Sequence, residues 1–451
     1  MMRLAVVALL LGILPAWAQT NAALTVDFGA PVTGNKNMLG LLSGADTTGP
    51  PDGMIGPLKP NLWRVGNYAA GQDAIQWPTI YGRLTGFGAR VEMVASEGYY
   101  PSDNKFPYDD WDAWDARVLQ LAQTNQGRNL MWDVWNEPNG TKFWAGTQEQ
   151  FFETYLHAYN VLRQQLGPDV MIGGPSLQPD TTFAVTKAYI GALLDFCKAN
   201  GCQVNFVSWH ALKDTNARIP ETAQDLADIR TSYVENPAYA SLNIREIHIN
   251  EVIGQTAKHD PGAILAYYYY LEQGGADLAA KACWYDLEQN YECYNDTLDG
   301  LLTASTFQPR AGWWAAKAYA DGVRTRVASD TSNPLVVALA SSGAGVPQAA
   351  QVLVGYFNYP SASAAAISAV LTLKNLSKLS FLAGSSAVHL KFEKIPATDE
   401  AALAAPIVTL ETNAPIGSGT AQVTIPSVNP AEAYRITLTR PGTRSRTSRR
   451  P

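Results

Sequence analysis

The sequence predicts an α/β protein, a (β/α)8 barrel (the TIM barrel) followed by a β-sandwich. Between Met38 and Tyr285, eight short apolar runs alternate with longer stretches of helical periodicity, the pattern of parallel strands joined by crossover helices. Loops after several of these runs are rich in aromatic and acidic residues, as expected where a site lies at the carboxyl ends of barrel strands. Beyond Gly322 the pattern shifts to short strands separated by turns such as Gly417-Ser418-Gly419, which reads as a sandwich. An open doubly wound sheet wants a glycine-rich phosphate turn after its first strand, and Leu39-Gly40-Leu41-Leu42-Ser43-Gly44 matches that poorly.

Taken in order, residues 1–18 read as a secretory signal: Arg3, an apolar run from Leu4 to Leu14, and Ala16-Trp17-Ala18 as the cleavage pattern. That run is shorter than the roughly 20 apolar residues of a membrane-spanning helix. The expected location is therefore secreted or periplasmic, with no membrane span. Residues 19–35 hold a lone strand, with Leu24, Val26 and Phe28 alternating, expected to join the sandwich. The barrel is expected over 36–322, with strands at 38–42, 61–65, 90–95, 129–135, 170–173, 204–209, 246–250 and 279–285. Helical stretches lie between them; in 148–166, Phe151, Tyr155, Ala158 and Leu162 recur on one face. The sandwich is expected over 323–440, with strands at 336–339, 350–358, 365–373, 389–392, 407–411, 421–425 and 434–439. Residues 441–451 read as a disordered basic tail.

The formal net charge is −7, and the body is more acidic still once the arginines of the tail are set aside. An acidic body argues against nucleic acid as the main partner. Four cysteines in a secreted chain favour disulfides, and sequence-local pairing, Cys197 with Cys202 and Cys283 with Cys293, is preferred among three connectivities. Their spacing fits no familiar zinc pattern.

The most informative stretch is Trp132-Asp133-Val134-Trp135-Asn136-Glu137-Pro138. A strand that ends on a carboxylate is costly if that group is buried without a partner, and makes sense if it exchanges protons with something bound there. Glu251 closes the seventh strand as Glu137 closes the fourth, so a closed barrel sets the two across its mouth. Such a pair can split the work of glycosidic bond cleavage between a proton donor and a nucleophile. Glu246 lies too deep to compete, and Glu97 is a weaker rival. His248, Glu251 and His259 suggest a metal site, but His248 and Glu251 point to opposite faces of a regular strand.

Trp135-Asn136-Glu137-Pro138-Asn139, Glu251 and Trp284 together resemble clan A of the glycoside hydrolases. Within it, the stretch from Trp132 to Asn139 followed by Phe143-Trp144, and Ile172-Gly173-Gly174-Pro175, is similar to family 39, which includes β-xylosidases, α-L-iduronidases and exopolysaccharide hydrolases. The resemblance implies Glu137 as acid/base, Glu251 as nucleophile, Asn136 on the sugar's 2-hydroxyl, and Arg64 as the arginine that steadies the nucleophile. It places His210 at the sixth-strand position and Trp284 as a platform under the sugar. Trp144, Tyr99 and Tyr100 are candidates for neighbouring sugar units. The implied activity is retaining hydrolysis of an oligo- or polysaccharide, without a cofactor. The chain departs from the family where Gly66 and Leu212 replace a histidine and a tyrosine, and where Val252 follows the nucleophile. The alternatives are a sugar-binding barrel without hydrolysis, or a transglycosidase. An esterase would want His-Glu-x-x-His or Gly-x-Ser-x-Gly, which the sequence lacks. The Asn139 sequon is read as coincidental, because a glycan there would obstruct the cleft.

Overall fold

The computed structural model describes residues 22–442 apart from 35, 43, 44, 47, 67–77, 97–105, 213–217, 294 and 359–364. The expected signal segment, most of the basic tail, and Tyr99 and Tyr100 lie outside the described residues.

After a first strand β1 (Ala22–Pro31), eight parallel strands follow in spatial order: β2 (Gly40–Leu42), β3 (Leu62–Val65), β4 (Arg90–Val94), β5 (Leu130–Asp133), β6 (Met171–Leu177), β7 (Phe206–Ala211), β8 (Glu246–Val252) and β9 (Leu278–Lys281). Each is followed by a helix: α1 (Asp52–Ile55), α2 (Pro78–Gly86), α3 (Trp111–Thr124), α4 (Gln148–Leu166), α5 (Phe183–Asn200), α6 (Arg218–Ile229), α7 (Pro261–Gly274) and α8 (Ala311–Gly322). The β2 strand lies against β9, so the sheet comes round on itself; a Cβ at Gly40 would collide with the Ala279 carbonyl. This is the predicted (β/α)8 barrel. Outward side chains such as Trp63, Trp132 and Ile172 pack on the helices in one continuous core.

The barrel interior is mixed. Leu42, Leu62, Met131, Phe206, Leu278 and Ala280 form an apolar cluster, and a ladder of charges runs up beside it. Arg90 bonds both Glu246 oxygens at 2.9 Å, and Glu246 meets His248 Nε2 at 2.8 Å. His248 Nδ1 meets Glu92 at 2.7 Å, and the other Glu92 oxygen accepts from Asn250 at 2.7 Å. Burial pulls the His248 imidazole down, but its bonds to Glu246 and Glu92 raise it above its usual value. Burial likewise pushes Glu246 up, and His248 and Arg90 overcome it, holding that carboxyl at about 2.

The carboxyl-terminal strands are β10 (Arg326–Thr331), β11 (Val336–Ser341), β12 (Ala350–Tyr356), β13 (Ile367–Lys374), β14 (Ala387–Ile395), β15 (Ile407–Pro415), β16 (Ala421–Val428) and β17 (Ala433–Thr439). With β1 they form one sheet in the order β15-β14-β17-β12-β11-β10-β1-β13-β16. The sheet curls until β15 and β16, at its two ends, touch. It thus makes a sandwich around one core that includes Leu24, Val352, Leu371, Leu390 and Ile436. Strand β10 was not expected from sequence. Only Arg326 and Val327 of it are buried, so its apolar signal is weak. β11 and β12 are buried on both faces, because Val337, Leu339 and Leu353 join the barrel's core while Val336 and Val352 face the sandwich. A Cβ at Gly262 in α7 would meet the Tyr356 carbonyl, so glycine lets the helix approach the sheet.

His248→Leu should lower unfolding free energy by about 3–5 kcal/mol in urea titrations, the cost of stranding a buried ionic partner. Because the folded-state pKa of His248 is raised, its contribution is complete below about 6.5 and is lost as pH rises through the folded value. The stability gap between wild type and variant should therefore narrow in alkaline buffer; a constant gap would rule this coupling out.

Candidate active site

β5 ends at Asp133, two residues earlier than expected, and the chain then leaves the sheet. Trp135 turns outward, donating its indole N–H to the Phe143 carbonyl at 3.2 Å and lying edge-on to Trp144 at 5.1 Å. This packing frees Asn136 and Glu137 to face the barrel mouth. Glu137 has φ 51°, in the left-handed region, and its N–H donates to the Ser176 carbonyl at 3.0 Å. A non-glycine residue held there costs about 1–3 kcal/mol and is typical of functional sites.

Glu251 reaches the mouth by a different irregularity. Ser208 pairs with His248 and His210 with Glu251, so two steps along β7 match three along β8. This bulge lets consecutive residues face the interior, where regular alternation would turn one of them away. Asn250 bonds Glu92, and Glu251 bonds Arg64. The expectation that His248 and Glu251 lie on opposite faces is thereby corrected. They still form no metal cluster with His259, since His248 is held by Glu92 and Glu246 while His259 lies 3.6 Å from Glu292.

Arg64 joins the two carboxylate positions. Its guanidinium donates to Glu251 Oε1 at 3.0 Å, to Asn136 Oδ1 at 2.9 Å and to Asp133 Oδ2 at 2.7 Å, and lies 3.3 Å from Glu92. With its oxygen so engaged, Asn136 has its amide nitrogen as the end that donates to a ligand. His210 Nδ1 lies 2.9 Å from Glu137 Oε1 and 3.8 Å from Glu251 Oε2. One ligand atom each from Glu137, His210 and Glu251 fall within 4.8 Å of one another. Burial pushes the Glu137 carboxyl up, but the hydrogen bond and charge of His210, then Arg64 and Lys142, hold it below its usual value. Burial drives Asp133 up to about 6, with Arg64 opposing and Glu92 adding to the rise.

Arg64, Asn136, Glu137, Lys142 and Glu251 line a cavity of about 300 Å³ together with Trp284 and Phe143. Trp284 lies beyond the end of β9 rather than on it, fixed by its indole N–H to the Ile253 carbonyl at 3.0 Å. Trp144 is corrected to a core residue. It is 4 % exposed, enclosed by Phe106, Tyr108, Trp135 and Phe151, and its indole bonds the Thr147 carbonyl. The neighbouring Lys142 and Phe143 line the cavity in its place, and sequence reasoning gave neither a role. The disulfides Cys197–Cys202 and Cys283–Cys293 are both present, the second beside Trp284. The Asn139 side chain bonds both backbone groups of Gln178, an arrangement a glycan on its nitrogen would disturb.

Residues 91–236 match the model of glycosyl hydrolases family 39. This barrel segment is similar to family 39. Over 120 residues the chain is 31 % identical to a β-xylosidase of Caldicellulosiruptor saccharolyticus, covering 25 % of this chain and 23 % of that protein. Over 136 residues it is 26 % identical to a β-xylosidase of Geobacillus stearothermophilus, covering 28 % of this chain and 26 % of that protein. The matched stretch thus spans about a quarter of the length of either relative. Among solved structures, the family 39 enzyme of Xanthomonas axonopodis pv. citri superposes with TM-score 0.63 at 15 % identity, covering 95 % of this chain and all of that one. A monomeric β-xylosidase of Caulobacter crescentus gives 0.61 at 14 %, covering 93 % and 99 %. A Neocallimastix frontalis protein gives 0.72 at 23 %, covering 93 % and 100 %. These structures share the two-part fold.

Trp144→Ala should cost about 3–5 kcal/mol of stability, as emptying a core tryptophan site does. In the folded fraction, KM for a small glycoside should move less than twofold. A large KM change at unaltered stability would return Trp144 to the binding surface.

Proposed function

We propose that the chain is a secreted retaining glycoside hydrolase acting on an oligo- or polysaccharide by double displacement. The observation that carries this reading is the closeness of Glu137 and Glu251, within 4.8 Å, at the mouth of a family 39 barrel. Retaining enzymes hold their carboxyls about 5–5.5 Å apart, whereas inverting enzymes leave about 6.5–9.5 Å for a water. In the first step Glu251 attacks the anomeric carbon while Glu137 gives its proton to the departing oxygen. In the second, Glu137 takes a proton from water, which attacks that carbon and releases Glu251. Arg64 orients Glu251, and Asn136 offers its amide to the sugar's 2-hydroxyl, a contact that strengthens as the ring gains positive charge. Glu137 must carry its proton in the first step although His210, Arg64 and Lys142 hold its carboxyl below the usual value; the negative charge of Glu251 works against that lowering and disappears once the covalent bond forms. His210 then helps Glu137 act as a base. β-Xylosides are the first substrates to try, since the relatives matched are β-xylosidases.

A second reading follows from the same cluster, because Glu137, His210 and Glu251 are close enough to hold a metal ion. Arg64 opposes it, placing a fixed positive charge 3.0 Å from Glu251. Activity should survive dialysis against EDTA; loss with recovery on adding a divalent metal would favour the second reading.

Glu137→Gln should lower kcat about 10²–10⁴-fold on poor leaving groups, the usual worth of a general acid. Glu251→Gln should prevent labelling by a mechanism-based fluorosugar, and NMR should show the product's starting anomer retained. Inversion, or a label on another residue, would refute the assignment. Lys142→Met removes a charge that lowers Glu137, so the basic limb of the pH profile should move to higher pH. An unmoved or acid-shifted limb would separate Lys142 from the acid.

A further inference from the structure

The segment from Cys283 to Cys293 is a stapled loop that the reaction above does not use beyond Trp284. Its ends are joined by the disulfide, and the Glu292 N–H donates to the Trp284 carbonyl at 2.9 Å. Its middle forms an antiparallel bridge between Tyr285 and Tyr291. The tip closes on itself, with Asp286 accepting from the Asn290 N–H at 2.7 Å and from its side-chain nitrogen at 2.9 Å. Supports arrive from both parts of the fold: Arg310 holds Glu292 at 2.6 Å, Lys258 donates to the Tyr285 carbonyl, and the Leu287 N–H donates to both Glu400 oxygens. Glu400 lies between β14 and β15 of the sandwich.

So much anchoring holds apolar surface out in water. Tyr285 is 49 % exposed and Leu287 78 % exposed. The Tyr285 and Tyr291 rings stack with centroids 4.7 Å apart and planes 25° from parallel. Both rings line the cavity that holds Glu137, Glu251 and Trp284. A rigid, pre-ordered aromatic face binds a ligand at lower entropic cost than a loop that must first be ordered. Tyrosine combines a large apolar face with a hydroxyl, which suits a pyranose ring with its C–H faces and hydroxyl rim. The loop has no basic side chain, and its one exposed charge, Glu288, disfavours an anionic glycan.

We propose that the Tyr285–Tyr291 pair is a second sugar platform, taking the unit of a neutral oligosaccharide next to the one over Trp284. It rests on the glycosidase reading for the position of the first sugar, and the cavity is then built for a chain rather than a single residue. The sandwich takes part in binding indirectly, through Glu400.

The test is calorimetric titration with xylo- and cello-oligosaccharides of one to four units, in a Glu251→Gln background to prevent turnover. Affinity should rise with length in that background. In Y285A/Y291A the gain from one unit to three should shrink about 3- to 10-fold, as expected for an aromatic contact, and Y285F should restore most of it. An unchanged gain in Y285A/Y291A, or no binding by either series, overturns the platform. Length-dependent binding that needs the tyrosines, in a wild-type protein that hydrolyses neither series, would support the platform while sinking the hydrolase reading.

Discussion

Arg64 is the group on which the arrangement of the mouth depends. It projects from β3, is 5 % exposed, and meets acceptors from β4, β5, β8 and the loop after β5. A guanidinium taken out of water is tolerable only when its donors are met in good geometry. The requirement runs both ways: Asp133 and Glu92, both fully buried, need Arg64 as much as it needs them. Its remaining donors fix Glu251 and Asn136. Below it, the chain Glu92–His248–Glu246–Arg90 carries the compensation down to the other end of the barrel. The position of the proposed nucleophile is thus tied to charges several residues deeper, none of which would touch a substrate.

Two breaks in regular geometry complete the site. Glu137 sits in a left-handed backbone conformation, and Glu251 follows a bulge that lets two consecutive side chains face inward. Each departure gives up local regularity in exchange for a side-chain direction that the strand period forbids. The surrounding structure keeps them in place. Trp135 and Trp144 pack behind Glu137, and the Asn250 bond to Glu92 pins the bulge.

Much of this was legible in the sequence, for identifiable reasons. The barrel strands are short and apolar with helical periods between them, so their order and number came through, and the stretch from Trp132 to Pro138 pointed to Glu137. Glu251 was set opposite it because both close barrel strands, whereas the places of Arg64 and His210 followed only through family resemblance. What the sequence hid was direction. Trp144 is aromatic and close to Glu137 in the chain, yet points into the core, while Lys142 and Phe143 line the cavity. The bulge in β8 leaves no trace in residue types. β10 went unseen because its outer residues are polar and its partner, β1, lies some 300 residues away in the chain (Ala23 and Ser332 are 309 apart). The double burial of β11 and β12 was not read from the sequence, although both strands are runs without regular polar alternation.

The place of β1 carries a consequence for how the molecule is assembled. It lies inside the second sheet, antiparallel to β10 on one side and parallel to β13 on the other. A strand made near the start of the chain must therefore wait for partners made after the whole barrel. Until they arrive its two edges are unpaired, the condition in which strands aggregate most readily. Pairings so distant in sequence also form slowly, since loop closure precedes any gain from the contacts. The barrel strands pair with chain neighbours except where β2 closes against β9. The fold thus joins a barrel of mostly local pairings to a sheet in which the first strand depends on partners from beyond the barrel.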